Sequence, residues 1–318
     1  MAGNLILGGN GFIGRRLIKA LRARGEDVAC LDIALPVADA EAEGVRYLRG
    51  DLRAFDEVMG ALAKTRPQRV INLAYMLGSD HPPHVAMKLN IIGMDNLFEA
   101  SRLSGVEHVV FGSSLAVNGE QRHFGERLVT ENDLELGRYQ YATHKIFNEW
   151  QAQDYRDKHD MQITAVRPAN VSGHDKVFGS VDHVQVIVGP ALGKAVRLPF
   201  ADVMRSPIHV DDVAEAFLRV TLAGKPKHTV YNTGGYATSL GELADLVSQF
   251  IPDADIVFEQ DTGGKEHCTN WLIDDSRLRQ EFGIHRPPFR DRVRQIIDAA
   301  RLENGFEPIA SMQLQERR

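Results

Sequence analysis

Short apolar runs alternate with amphipathic stretches through the first half of the chain. Asn4–Leu7 predicts a strand, followed by glycines and a helix over about Phe12–Arg24. Asp27–Asp32 and Val45–Arg49 predict two more strands, then comes a helix over Phe55–Lys64 and a strand at Arg69–Leu73. A helix over about Val85–Leu103 leads to a strand at His108–Phe111, a long helix over about Arg138–His159 and a strand at Gln162–Arg167. Strands alternating with helices predict an α/β fold, a doubly wound parallel sheet with helices on both faces.

The rhythm changes after Arg167. Residues Pro168–Pro207 are rich in Gly, Pro and His and predict irregular, substrate-facing structure. Val210–Ala223 then predicts a helix, His228–Asn232 a strand, and Ser239–Phe250 a helix capped by Thr238-Ser239. The tail over 308–318 ends in Gln-Glu-Arg-Arg and is expected to be flexible.

Composition narrows the function classes. A length of 318 residues suits one large domain or two intimate ones. A formal net charge of -6 leaves no electrostatic footprint for nucleic acid. No stretch approaches the roughly 18–20 apolar residues of a membrane span, and Leu5–Leu7 is too short for a signal peptide. The two cysteines, Cys30 and Cys268, do not make a disulfide scaffold, so the reducing cytoplasm is the expected compartment. Cys30 lies in an apolar run and reads as a small core residue. The expected partner is a small molecule, and no metal site is expected.

The candidate chemistry begins at the first strand-to-helix turn, Gly8-Gly9-Asn10-Gly11-Phe12-Ile13-Gly14. Gly8, Gly11 and Gly14 allow a tight turn, close approach to a pyrophosphate and close helix packing, and the helix N-terminus offers amides to phosphate. Asp32 ends the second strand, 18 residues after Gly14, where a carboxylate accepts from adenosine ribose hydroxyls and repels a 2′-phosphate. NAD is therefore favoured over NADP. The plainer reading is that Asp32 opens a loop, and Arg15 and Arg16 argue the other way, as cations able to accommodate that phosphate. Asp51 is placed either to reach the adenine or to cap the next helix.

Tyr141 and Lys145 are four apart and share one helical face. A phenol with a reference pKa of about 10 needs roughly 4 kcal/mol of differential stabilisation to act as a base near pH 7. A nearby ammonium and the positive ring of oxidised nicotinamide supply it. Ser113 and Ser114 follow the strand ending at Phe111, where a hydroxyl can hold a reacting oxygen. Alone, Tyr-x-x-x-Lys is common as an exposed helix pair. Here it follows a glycine turn, an acidic strand end and a serine strand end in order.

These residues together resemble the extended short-chain dehydrogenase/reductase family, from Leu5 to about Leu278. The likeness also runs through Gly50-Asp51-Leu52, Asn72-Leu73-Ala74, Asn90-Ile91-Ile92-Gly93, Arg167-Pro168-Ala169-Asn170-Val171 and Ile208-His209-Val210-Asp211-Asp212-Val213-Ala214. It implies Ser114, Tyr141 and Lys145 as a catalytic triad, with Asn90 in support. It implies cofactor contacts from Gly8, Gly11, Phe12, Ile13, Gly14, Asp32, Asp51, Leu52, Leu73, Ala74, Tyr141, Lys145 and Arg167. Substrate candidates are Met76, Ser113, Asn170, His174, His183 and Arg205. The resemblance also implies a Rossmann-type domain over 1–170 plus 207–232, a smaller substrate-binding cap over 171–206 plus 233–307, and a homodimer through the two long helices.

Departures from the family pattern shape the expected reaction. Leu115 and Ala116 stand where dehydratases of the family carry an acidic pair, so dehydration is not expected. Leu115 also replaces the cysteine that some epimerising members pair with a distant histidine, a position His174 resembles. That leaves His174 and His183 as substrate contacts or, more simply, solvated loop histidines. Gly263-Gly264-Lys265-Glu266 lacks the arginine that commonly holds a nucleotide diphosphate, and Lys265 offers only a point charge. Asn118 and Ser206-Pro207 depart from the pattern as well. The expectation is a dehydrogenase or reductase of a small polyol, sugar acid or hydroxy acid, with nucleotide-sugar 4-epimerase as the alternative. A non-catalytic redox sensor is a third reading, but such relatives typically lose the tyrosine or lysine.

Overall fold

The computed structural model describes residues 3–36, 44–77 and 81–309. Its centre is a parallel sheet of seven strands. The first six are β1 (Asn4–Leu7), β2 (Val28–Asp32), β3 (Val45–Arg49), β4 (Arg69–Asn72), β5 (His108–Gly112) and β6 (Ile163–Arg167). A late strand, Val230–Asn232, completes the edge beside β6. Short strands with both faces covered need continuous apolar runs, and β1 and β6 are buried at every residue. The spatial order β3-β2-β1-β4-β5-β6 reverses between β1 and β4, and a crevice opens there at the carboxyl edge.

The helices are α1 (Phe12–Ala23), α2 (Phe55–Thr65), α3 (Pro83–Met87), α4 (Met94–Leu103) and α5 (Gln140–His159). The segment predicted as one helix over 85–103 is continuous but changes its winding: Lys88–Gly93 between α3 and α4 is a π-helix. That local unwinding carries Asn90, whose amide clasps the backbone of Met76 through both its N–H (2.9 Å) and its carbonyl (3.0 Å).

The expectation of irregular structure over 168–207 is corrected. This stretch holds β7 (Asn170–Ser172), helix α6 (Asp182–Ala191), β8 (Val196–Phe200) and β9 (Met204–Arg205). Valines and a Gly-Pro step disfavour a helix locally, but Val186, Ile187 and Ala191 are buried in a separate apolar core. The later elements divide between this core and that of the sheet. They are β10 (Pro207–His209), α7 (Val210–Leu222), β11 (Val230–Asn232), β12 (Thr238–Ser239), α8 (Leu240–Ser248), β13 (Ile256–Gln260), α9 (Ser276–Phe282) and α10 (Phe289–Glu303). Ser239 caps α8 as predicted, in a reciprocal pair with Glu242.

Two boundaries shift. Ile273, Leu278 and Ile284 pack with α1 and α7 in the core of the sheet domain, not in the cap. Ile309 belongs to the cap core, and its amide donates to Asp298 (2.8 Å), so this residue of the expected tail is packed on the protein. The rest of the tail lies outside the described residues. No helix among the described residues is long and apolar enough to cross a membrane.

Candidate active site

The turn between β1 and α1 has room for glycine alone at two positions. Gly8 takes a φ of 76°, and a Cβ there would sit 2.6 Å from the Ala74 nitrogen. A Cβ on Gly14 would sit 2.5 Å from the Gly8 carbonyl oxygen. Among the described residues no side chain caps α1, so its first amides remain available to an anion. These features fit a dinucleotide pyrophosphate.

Asp32 closes the same pocket. Its carboxylate accepts from the amides of Asn10 (3.1 Å) and Ala34 (3.4 Å), which holds it at the strand end. Cys30, next to it on β2, is buried, and desolvation pushes its thiol up to about 12, in keeping with a core role. Asp51 turns to its own neighbourhood: it accepts from the Arg53 amide (2.9 Å) and pairs with the Arg53 guanidinium. Leu52 is buried against Gly93 and the start of α4, so its side chain is core. Phe12 packs on Gly173, Ile13 and Leu73 pack against the sheet core, and Ala74 lies against Gly8.

Tyr141 opens α5, and Ser114, which follows β5, is close enough to lower the pKa of its hydroxyl. The Ser114 hydroxyl accepts from the Ala116 amide (3.1 Å), which fixes its rotamer. Burial pushes the Tyr141 hydroxyl up to about 12, and Ser114 works against that. Lys145, one turn along, is buried. Desolvation holds its ammonium well below the ordinary lysine range, and Glu149 opposes that shift. Its Nζ donates to the Gly112 carbonyl and lies 3.2 Å from the centre of the Tyr75 ring and 5.6 Å from that of Tyr141. The Asn90 amide also approaches His144 Nδ1 (3.4 Å).

Beneath these groups runs a buried charge network that the sequence does not announce. Ser113 donates to Glu149, so it faces inward and not toward a substrate. Arg167 Nε and Nη2 donate to the Glu149 carboxylate (2.9 and 2.5 Å), and Nη2 also reaches Glu135 (3.0 Å). Arg167, expected at the cofactor, is instead 2% exposed and committed to that pair. Tyr141, Lys145 and Glu149 stand four residues apart in turn, on one face of α5, and that is the signal a reader of the sequence could have used.

The substrate candidates are mostly engaged. Arg205 is held by Asp182 through Nε (3.1 Å) and Nη2 (2.5 Å). His183 is fully buried, bonded to Asp182 (3.2 Å) and to the Val171 carbonyl (3.3 Å), so it is not a solvated loop histidine. His174 lies 3.3 Å from Glu303. The Asn170 side-chain carbonyl accepts from the Ser206 amide (2.8 Å) and ties β7 to the chain entering β10. Met76 is half-buried at the Asn90 clasp. Lys176, missed in the sequence, donates to the Val171 (2.7 Å) and Ser180 (2.5 Å) carbonyls, and burial lowers its ammonium to about 8. Lys265 rests 5.6 Å from the centre of the Trp271 ring, and the Gly263 and Gly264 amides donate to Asp202. Among the described residues no group of acidic, histidine or cysteine side chains is arranged to hold a metal.

A glycine cradle at a switch point, with a hydroxyl, a phenol and an ammonium at the same sheet edge, defines a dinucleotide-dependent enzyme. The chain belongs to the NAD dependent epimerase/dehydratase family, whose model matches residues 4–234. It is 31% identical over 302 residues to a UDP-glucose 4-epimerase of Mycolicibacterium smegmatis, covering 88% of this chain and 92% of that one. Among solved structures, the Thermus thermophilus UDP-glucose 4-epimerase in complex with NAD aligns with a TM-score of 0.82 at 26% identity, over 94% of this chain and 98% of that one. The L-threonine 3-dehydrogenase of Trypanosoma brucei shares the fold, with a TM-score of 0.85 at 18% identity over 96% of this chain and 99% of that one. NAD is the cofactor of this enzyme class.

Proposed function

We propose that the protein is an NAD-dependent dehydrogenase or reductase acting on the secondary alcohol or ketone of a small polyol, sugar acid or hydroxy acid. The observation that carries the substrate reading is the bond between Arg205 and Asp182. It occupies the fork of a cation that would otherwise be free to take a diphosphate bidentately. Lys265 is likewise drawn onto Trp271.

When bound, oxidised NAD would supply the hydride acceptor and a positively charged ring. Gly8, Gly14 and the first amides of α1 receive the pyrophosphate, and Asp32 receives the ribose hydroxyls. Ser114 orients the substrate oxygen, and Tyr141 takes the proton from it during oxidation and returns one during reduction. The ammonium of Lys145 favours the ionised phenol, and Tyr75 holds that ammonium on its ring face.

The likeness to UDP-glucose 4-epimerase over nearly the whole chain favours a second reading, epimerisation with a retained cofactor. Calorimetric titration with UDP, together with mass spectrometry of the extracted cofactor, separates the two. Weak UDP binding and freely exchanging NAD are expected. Tight UDP binding with stoichiometric retained NAD overturns the dehydrogenase reading and establishes the epimerase.

The outer face of α4 and α5 supports a homodimer. Trp150 is 69% exposed there beside Phe147 in a concavity that also holds Tyr155 and His159. Sedimentation velocity is expected to give a dimer for the native chain and a monomer for Trp150→Glu. A native chain that sediments as a monomer at micromolar concentration removes this assignment.

A further inference from the structure

Asp175 lies on the substrate side of the fold, in the segment between β7 and α6, yet it reaches across to the dinucleotide helix α1. Its carboxylate accepts from Arg16 in a two-pronged pair (both 2.6 Å) and from Arg15 Nη2 (2.7 Å). The two guanidinium groups hold its carboxyl below the usual carboxylate range, against the opposing effect of burial. The other titratable neighbour is His174, 4.0 Å away.

The position of Arg15 gives this pair its meaning. Arg15 Nη1 donates to the Asn10 carbonyl (2.8 Å), and the Asn10 amide donates to Asp32 (3.1 Å). One residue therefore links the guanidinium to the carboxylate that marks the ribose end. Arg15 is also 46% exposed at its side chain, so it has room to turn. An unrestrained guanidinium there would meet a ribose 2′-phosphate with charge-assisted hydrogen bonds.

We propose that Asp175 is a second determinant of cofactor choice: by binding Arg15 and Arg16 it withdraws the cations that would accept the 2′-phosphate of NADP, and so reinforces the repulsion from Asp32. The inference rests on the reading of this cleft as the NAD site and is independent of the substrate.

The test is calorimetric binding of NAD and NADP to the intact protein, with no substrate needed. Asp175→Asn is expected to raise NADP affinity relative to NAD by about tenfold, the value of a hydrogen bond to a charged group. The gain should shrink at high salt, since the freed cation is solvent-exposed. NAD should remain preferred because Asp32 is untouched. Adding Arg15→Ala and Arg16→Ala to Asp175→Asn should cancel the gain, and Arg15→Ala alone should leave the NADP-to-NAD ratio unchanged. An unchanged ratio in Asp175→Asn with a native thermal midpoint overturns the proposal. So does a loss of NADP binding in Arg15→Ala alone, which needs no substitution at Asp175 to interpret. Absence of NAD binding by the native chain would instead remove the cofactor-site reading itself.

Discussion

Tyr141→Phe is expected to lower turnover by roughly 10²–10⁴ while NAD affinity survives. The substitution deletes one oxygen and keeps the ring, which packs edge-on to Tyr75 (5.6 Å between centres) and stacks on Tyr139 (6.2 Å). What is lost is the hydroxyl beside Ser114, the group that exchanges a proton with the substrate oxygen in the proposed reaction. That rate loss corresponds to about 3–5 kcal/mol of transition-state stabilisation. Because burial pushes this phenol up to about 12, the oxidative rate of the native enzyme should climb with pH toward the alkaline side. The residual rate of Tyr141→Phe should lose that slope. Single-turnover kinetics on the true substrate, paired with NAD titration, give both numbers. Turnover near the native value, with the alkaline slope intact, would assign the base to another residue.

The sheet was legible because most of its strands are short apolar runs bounded by glycine or polar residues. Gly8, Gly14, Asp32, Tyr141 and Lys145 were legible because their spacing within one turn or one strand carries their meaning. The helix α6 was hidden by its own residues: Asp182–Ala191 carries three valines and ends in Gly189-Pro190-Ala191, and only its packing against the cap core makes it a helix. In α10 the reverse holds. Val293, Ile296, Ile297 and Ala300 form a plain helical face that the strand-helix rhythm of the first half does not lead to. The acidic partners were out of reach for a different reason. Asp175, Asp182 and Glu149 look like ordinary surface charges in the sequence, and only the fold sets them against Arg16, Arg205 and Arg167. Arg167 shows the cost of that blindness most directly, since its place in a familiar motif suggested a cofactor contact and the fold gives it a buried carboxylate.

Arg167→Met is expected to destabilise the protein by about 3–5 kcal/mol, the range for removing one partner of a buried ion pair. Arg167 and Glu149 are 2% and 6% exposed at their side chains, so water does not replace the lost bonds. With methionine in place, Glu149 keeps the Ser113 hydroxyl as its hydrogen-bond partner among the described residues, with Lys145 and Arg156 as further charged neighbours, and Glu135 keeps the Trp150 indole (2.9 Å). The hydrophobic gain of the new side chain is small beside the desolvated charge left without its cation. Adding Glu149→Leu removes that charge, so Arg167→Met/Glu149→Leu should recover part of the loss, and the double-mutant cycle isolates the coupling. Urea unfolding of the four chains at neutral pH measures it. The prediction fails if Arg167→Met costs under about 1 kcal/mol, the range of an exposed pair, or if the double variant is less stable than the single one. The same network reaches the active site, because Glu149 favours the charged form of Lys145 one turn away. A variant that keeps its fold but leaves Glu149 without Arg167 should therefore hold the lysine more firmly in its ammonium form.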